Sequence, residues 1–145
     1  MRHRVTWKTL AASLLLGPAA LATGCGATEA DPTLIPSPAT ITEEFQGSLV
    51  QLGSIAHPFV VSATGSVTVQ LTSVAPLGTM ALGVAIGAWD GANCAVTNTR
   101  NDNAKIGSVA LTGTAVAANY CARVYDSGNI PTDWTVTYTL RVTHP

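Results

Sequence analysis

The stretch from Trp134 to His144 reads WTVTYTLRVTH, and its pattern decides the fold. Trp134, Val136, Tyr138, Leu140 and Val142 fall on one face of an extended chain; Thr135, Thr137, Thr139, Arg141 and Thr143 fall on the other. Side chains of a strand point alternately to its two faces. A two-residue period in β-branched and aromatic types therefore marks a half-buried β-strand. The pattern recurs in SVTVQLTSV, residues 66–74, with Val67, Val69 and Leu71 inward and Thr68, Gln70 and Thr72 outward.

Residues 80–89, MALGVAIGAW, are different. Leu82, Val84 and Ile86 alternate with Ala81, Gly83, Ala85 and Gly87, so neither face is polar. That composition predicts a central strand covered on both sides, whose small face lets another backbone approach closely. Two alternating glycines count against a helix. Further strands are expected at residues 45–51, 58–63, 94–97, 106–112 and 118–125. Turn-forming clusters separate them: TGS at 64–66, APLG at 75–78, WDGAN at 89–93, RNDN at 100–103 and DSGN at 126–129. Seven to eight short strands without a helical segment predict an all-β protein, an antiparallel β-sandwich.

Toward the N-terminus the texture changes. MRHRVTWKT holds Arg2, Arg4 and Lys8 and no acidic residue, and the apolar run LAASLLLGPAALA follows at residues 10–22. A basic leader, an apolar run of about 7–15 residues and small residues beyond it form a secretory signal peptide. The run is too short to cross a bilayer, which takes roughly 20 residues. Ala22-Thr23-Gly24-Cys25 then resembles the lipobox of bacterial lipoproteins, although Ala22 stands where leucine is usual. The resemblance implies a diacylglyceryl group on the Cys25 thiol, cleavage before Cys25, and fatty acylation of the new amine. Two or more acyl chains anchor a protein stably. Ordinary cleavage after the Ala20-Leu21-Ala22 site is the alternative, and it leaves Cys25 as a free thiol.

GATEADPTLIPSPATIT comes next, with Pro32, Pro36 and Pro38 and no apolar period, and reads as a flexible tether. The expected organisation is a signal peptide at 1–24, a lipidated N-terminus and tether at 25–42, and a β-sandwich domain at 43–145. The expected location is the bacterial cell envelope, lipid-anchored to a membrane, with a secreted or periplasmic soluble form as the alternative.

With Cys25 assigned to lipid, Cys94 and Cys121 remain as an even pair in an exported, oxidising setting. Two cysteines without a nearby histidine make a poor zinc set, so a disulfide is expected. Closing that loop is worth about 3.5 kcal/mol on chain-entropy grounds. Three of the seven basic residues lie in the leader, leaving four against eight acidic ones. An acidic surface without a basic cluster argues against nucleic-acid or anionic-membrane binding through charge.

Several segments of the domain then appear in a familiar order: FQGSL at 45–49, HPFVV at 57–61, GSVTVQLT at 65–72, ANYCARVY at 118–125 and YTLRV at 138–142. The series is similar to the bacterial pre-peptidase C-terminal domain, a jelly-roll-like β-sandwich found in exported proteins. The usual acidic stretch after the third strand is replaced here by MALGVAIGAWDG. The resemblance implies a jelly-roll topology and roles in secretion, surface attachment or polysaccharide binding.

Candidate chemistry is sparse. The two histidines after the leader, His57 and His144, each precede a proline, and no G-x-S-x-G elbow is present. His57 reads as a strand-end residue, and no catalytic residue is assigned. Asp90, Asp126 and Asn129 lie in oxygen-rich turns that suit calcium, although each turn supplies one carboxylate and reads more simply as an Asx turn. Trp89, Asp90 and Asn93 are the candidate ligand-binding set, because an aromatic beside a turn can stack on a sugar ring. The sequence thus predicts a non-catalytic exported lipoprotein, an envelope-anchored binding or accessory module. Its partners would be a membrane through lipid, and a polysaccharide or an envelope protein.

The leader makes a direct prediction. Protein purified from bacterial membranes has an intact mass that starts at Cys25 and includes acyl chains. A soluble product cut before Thr23 would identify ordinary secretion instead.

Overall fold

The computed structural model describes residues 37–145, apart from the side chain of Asn98. The leader, Cys25 and most of the expected tether lie outside the described residues. Eight strands follow one another: β1 (Ile41–Leu49), β2 (Ser54–Val61), β3 (Gly65–Ala75), β4 (Leu82–Trp89), β5 (Cys94–Ala104), β6 (Val109–Ala115), β7 (Ala118–Tyr125) and β8 (Val136–His144). They form two antiparallel four-stranded sheets in the orders β1-β8-β3-β6 and β2-β7-β4-β5. Every connection except β4–β5 passes from one sheet to the other, which is the jelly-roll arrangement. The expected fold class is the one observed.

Alternation dictates the packing. In β8 the residues Val136, Tyr138, Leu140 and Val142 are at most 2% exposed, and the threonines between them face out. In β3, Val67, Val69 and Leu71 meet them within the first sheet. Phe59, Val61, Leu82, Val84, Ala122 and Val124 close the core from the second sheet. The loops at 50–53, 76–81, 105–108 and 126–135 lie at one end of the sandwich. The start of β1 and the end of β8 lie at the other.

Four expectations are corrected. The domain begins at Ile41, not residue 43, because Ile41 and Thr42 pair with His144 and Thr143, and the Thr42 and Thr143 hydroxyls are 3.2 Å apart. RNDN at 100–103 is not a turn: it continues β5 to Ala104, and the reversal falls at 105–108, where Gly107 has φ of 85°. The Asn101 side chain donates to Ala110 O and accepts from the Asn103 N–H, so its Asx chemistry joins β5 to β6 and does not reverse the chain. Trp134 is not the first residue of β8. A turn bond from its N–H to Pro131 O, with Asp133 at φ of 68°, leaves it 38% exposed. His57 is a mid-strand residue of β2, paired with Ala122.

β4 is covered on both faces, as its composition requires. Leu82 and Val84 face the core. On the outer face the Tyr125 ring packs directly over Gly83, and the backbone of Ala95 lies over Gly87, where an added Cβ would sit 2.5 Å from Ala95 O. Cys94 and Cys121 are joined. Their strands, β5 and β7, flank β4 and are not neighbours. Two strand spacings put such residues about 9–10 Å apart in a flat sheet, yet their Cα atoms are 5.7 Å apart. The start of β5 is therefore drawn across the outer face of β4, and Gly87 is the residue that leaves room for it.

Gly87→Ala is expected to cost about 2–3 kcal/mol in urea unfolding, because its Cβ meets backbone that cannot rotate away. Gly83→Ala is expected to cost less, since its Cβ meets a side chain and not backbone, and displacing the Tyr125 ring breaks one exposed bond to Asp102. Equal costs would show that the backbone crossing at Gly87 has slack.

Candidate functional site

The two outer faces differ in chemistry. Outward positions of the first sheet carry Glu44, Gln46, Thr68, Thr137, Thr139, Arg141 and Thr143, an ordinary solvated surface. Arg141 and Glu44 pair there at 2.8 Å, an exposed ion pair worth at most about 1 kcal/mol. The second sheet presents a different set. Its register places Val60 beside Asn119, Pro58 beside Cys121 and Gly87, Ala56 beside Arg123 and Ala85, and Ser54 beside Tyr125 and Gly83. Apolar groups thus gather toward the Trp89 end, and cations with a tyrosine toward the other.

At the first end an open groove of about 510 Å³ is lined by Pro58, Val60, Trp89, Asp90, Gly91 and Asn119, with Phe59 beneath. Trp89 is half-buried at the end of β4, and Val60 is 59% exposed beside it. The structure thus brings Trp89 and Asp90 into one groove. Asn93 serves the turn behind it: its backbone and side-chain N–H groups both donate to the Asp90 carboxylate, at 2.6 and 3.2 Å, and the Ala92 N–H adds a third bond. The Asn93 and Ala92 backbone donors hold the Asp90 carboxyl below the usual carboxylate range.

At the second end, Ala85, Val96, Thr97, Arg100, Arg123 and Tyr125 line a cavity of about 360 Å³. Ala85 is its floor, 1% exposed. Arg123 Nη2 donates to Ser54 Oγ at 3.0 Å, and its guanidinium lies 5.9 Å from the centre of the Tyr125 ring. The Tyr125 hydroxyl donates to Asp102, which also faces Arg100 at 3.7 Å. Partial burial, reinforced by the bond to Asp102 and its charge, pushes the Tyr125 hydroxyl up to about 12. This arginine pair belongs to no site expected from the sequence. Alternation in β7 sets Cys121, Arg123 and Tyr125 on one face, but Arg100 joins them only through the pairing of β4 with both β5 and β7.

Asp126 and Asn129 are not brought to Asp90. β4 and β7 run antiparallel, so the turns that follow them lie at opposite ends of the sheet. Asp126 Oδ1 accepts from the N–H groups of Gly128, Asn129 and Ile130, and Oδ2 from Leu52. Partial desolvation raises the Asp126 pKa, but the four backbone donors together outweigh it and leave the carboxyl below its usual range. Among the described residues, no three His, Cys, Asp or Glu side chains are grouped to hold a metal ion. The bond from Leu52 also holds that residue at φ of 61° with its side chain 86% exposed, beside the loop that presents Trp134.

Both histidines point into the sandwich. His144 is 1% exposed, with Nε2 at 2.9 Å from Glu43 and its ring 5.2 Å from that of Phe59. His57 stacks on Phe45, and its Nε2 is 2.8 Å from the Tyr138 hydroxyl. Burial lowers the His57 pKa, and burial pushes the Tyr138 hydroxyl up to about 12. Their positions could be read from phase: His57 continues the inward series of Ile55, Phe59 and Val61, and His144 that of Val136 to Val142.

No protein-family model matches the chain, and no curated protein matches it. A solved structure of similar fold is the Aeromonas hydrophila PliG, a periplasmic lysozyme inhibitor of g-type lysozyme. It is 20% identical, with a TM-score of 0.47, over 70% of this chain and 83% of that one.

Below the ordinary histidine value of 6.5 the unfolded chain takes up a proton at His57 that the folded chain resists. Stability held above that pH is therefore lost as pH falls through it. Chemical denaturation is expected to show unfolding free energy declining between about pH 7 and pH 5, with a shallower decline in His57→Gln.

Proposed function

We propose that this protein is an exported, envelope-tethered, non-catalytic binding module, and that its ligand sits on the outer face of the β2-β7-β4-β5 sheet. The contrast between the two outer faces carries this reading. One is a threonine-rich solvated surface, whereas the other combines a tryptophan groove with an arginine–tyrosine cavity on either side of a disulfide. Ligand sites take this form, an apolar surface with a few fixed polar groups. The Cys94–Cys121 bridge supports export, since such bonds persist in oxidising compartments. The leader and Cys25 support lipid anchoring, and the jelly-roll topology suits the resemblance to the pre-peptidase C-terminal domain.

A saccharide is the ligand class that the groove suits. Trp89 offers an apolar ring face with Asp90 and Asn119 at its margin to meet hydroxyls. Neither histidine takes part, because both are committed to interior contacts.

A glycan array with wild-type protein beside Trp89→Ala tests the reading. Wild type is expected to retain at least one saccharide, and the variant to bind it roughly 30-fold more weakly, as truncating a central aromatic anchor does. Equal binding by the two proteins would remove Trp89 from the site.

A further inference from the structure

The cations of this face narrow the ligand further, an inference that rests on the sheet-face reading above. The described residues include four basic side chains, Arg100, Lys105, Arg123 and Arg141. Arg141 is paired with Glu44, and Arg100 faces Asp102. Among the described residues Arg123 has no carboxylate partner, only the Ser54 hydroxyl and the face of Tyr125. Its charge is uncompensated in a domain where acidic residues outnumber basic ones.

The surroundings of Arg123 are fixed. Tyr125 is packed on Gly83 and tied to Asp102, so the ring under the guanidinium has little freedom. Arg100 closes the opposite wall of the cavity, and Ala85 leaves its floor shallow. Two guanidiniums above a small apolar floor are complementary to a carboxylate, which a planar arginine fork binds through two parallel bonds. Trp89 lies four residues along β4 from Ala85, roughly 13 Å at 3.3 Å per residue. A ligand touching both is extended, with an apolar face at one point and a carboxylate further along.

An acidic peptide also carries carboxylates, but extended peptides bind by adding to an unpaired strand edge. Here β7 and β4 are inner strands whose backbones are paired on both sides. A ligand that binds through ring faces and pendant groups suits this surface. We infer that the face binds a uronic-acid saccharide, with Arg123 and Arg100 holding a carboxylate above Ala85 while a neighbouring ring lies on Trp89.

Calorimetric titration of the purified protein tests this with three probes: a galacturonic-acid trisaccharide, its fully methyl-esterified form, and a glutamate-rich peptide. The acid is expected to bind at least about tenfold more tightly than the ester, and Arg123→Gln to weaken the acid by about 10–100-fold, the worth of charged hydrogen bonds. Arg123→Lys keeps the charge but loses the fork, and should fall between. Added salt should weaken wild type toward the ester value, a check that needs no variant. Equal affinity for acid and ester that still depends on Trp89 would overturn the carboxylate clamp and leave the sheet-face reading intact. Binding of the peptide alone would overturn the saccharide, and binding of none of the three probes would overturn the uronic-acid inference and leave the sheet-face reading to the glycan array.

Discussion

The Cys94–Cys121 bridge crosses β4 at Gly87, drawing strands from either side of β4 to a Cα separation of 5.7 Å. Any side chain at position 87 would hold the start of β5 away. The small outer column of β4 and the bridge are thus one constraint seen from two sides. Gly87 admits the crossing backbone, Gly83 admits the Tyr125 ring, and Ala85 between them leaves the cavity floor. The bridge also splits the face into an apolar half and a cationic half. Each half draws its shape from residues chosen for how little they occupy.

The first sheet solves a related problem on its inner side. Gly47 pairs with Tyr138, and an added Cβ at residue 47 would run into the phenol. The Tyr138 hydroxyl, buried among apolar groups, would cost about 1–3 kcal/mol without a partner, and His57 from the opposite sheet supplies one. Glu43 does the same for the buried ring of His144. No buried side-chain nitrogen or oxygen among the described residues lacks a partner. These bonds tie β1 and β8 to each other and to the facing sheet.

Much of this was legible in the sequence, for identifiable reasons. β3, β7 and β8 alternate cleanly, and β4 announced its double coverage through glycine and alanine at every second place. The disulfide followed from cysteine arithmetic. What failed was chemistry that serves two structures at once. Arg100 to Asn103 read as a turn because Asn and Asp favour turns, but on this exposed edge strand the Asn101 side chain bonds across to β6 and Asp102 accepts from Tyr125. Trp134 kept step with β8 by coincidence of parity, one turn before the strand starts. Trp89 and Asp90 could be singled out as candidates because a tryptophan beside a turn is a local signal, and they do line one groove. The Arg100–Arg123 pair had no such signal, since the residues lie 23 apart and meet only across an intervening strand.

The bridge also sets when the face exists. The inner core is held by apolar packing that does not depend on redox state, whereas the corner that carries Cys94 is held over β4 by a covalent bond. A reduced chain can bury the same valines and leucines and still leave that corner free to lift. Its outer face would then lack the divide between groove and cavity. Under the function proposed above, ligand competence is then a product of maturation: it depends on oxidation as well as on the packing of the core.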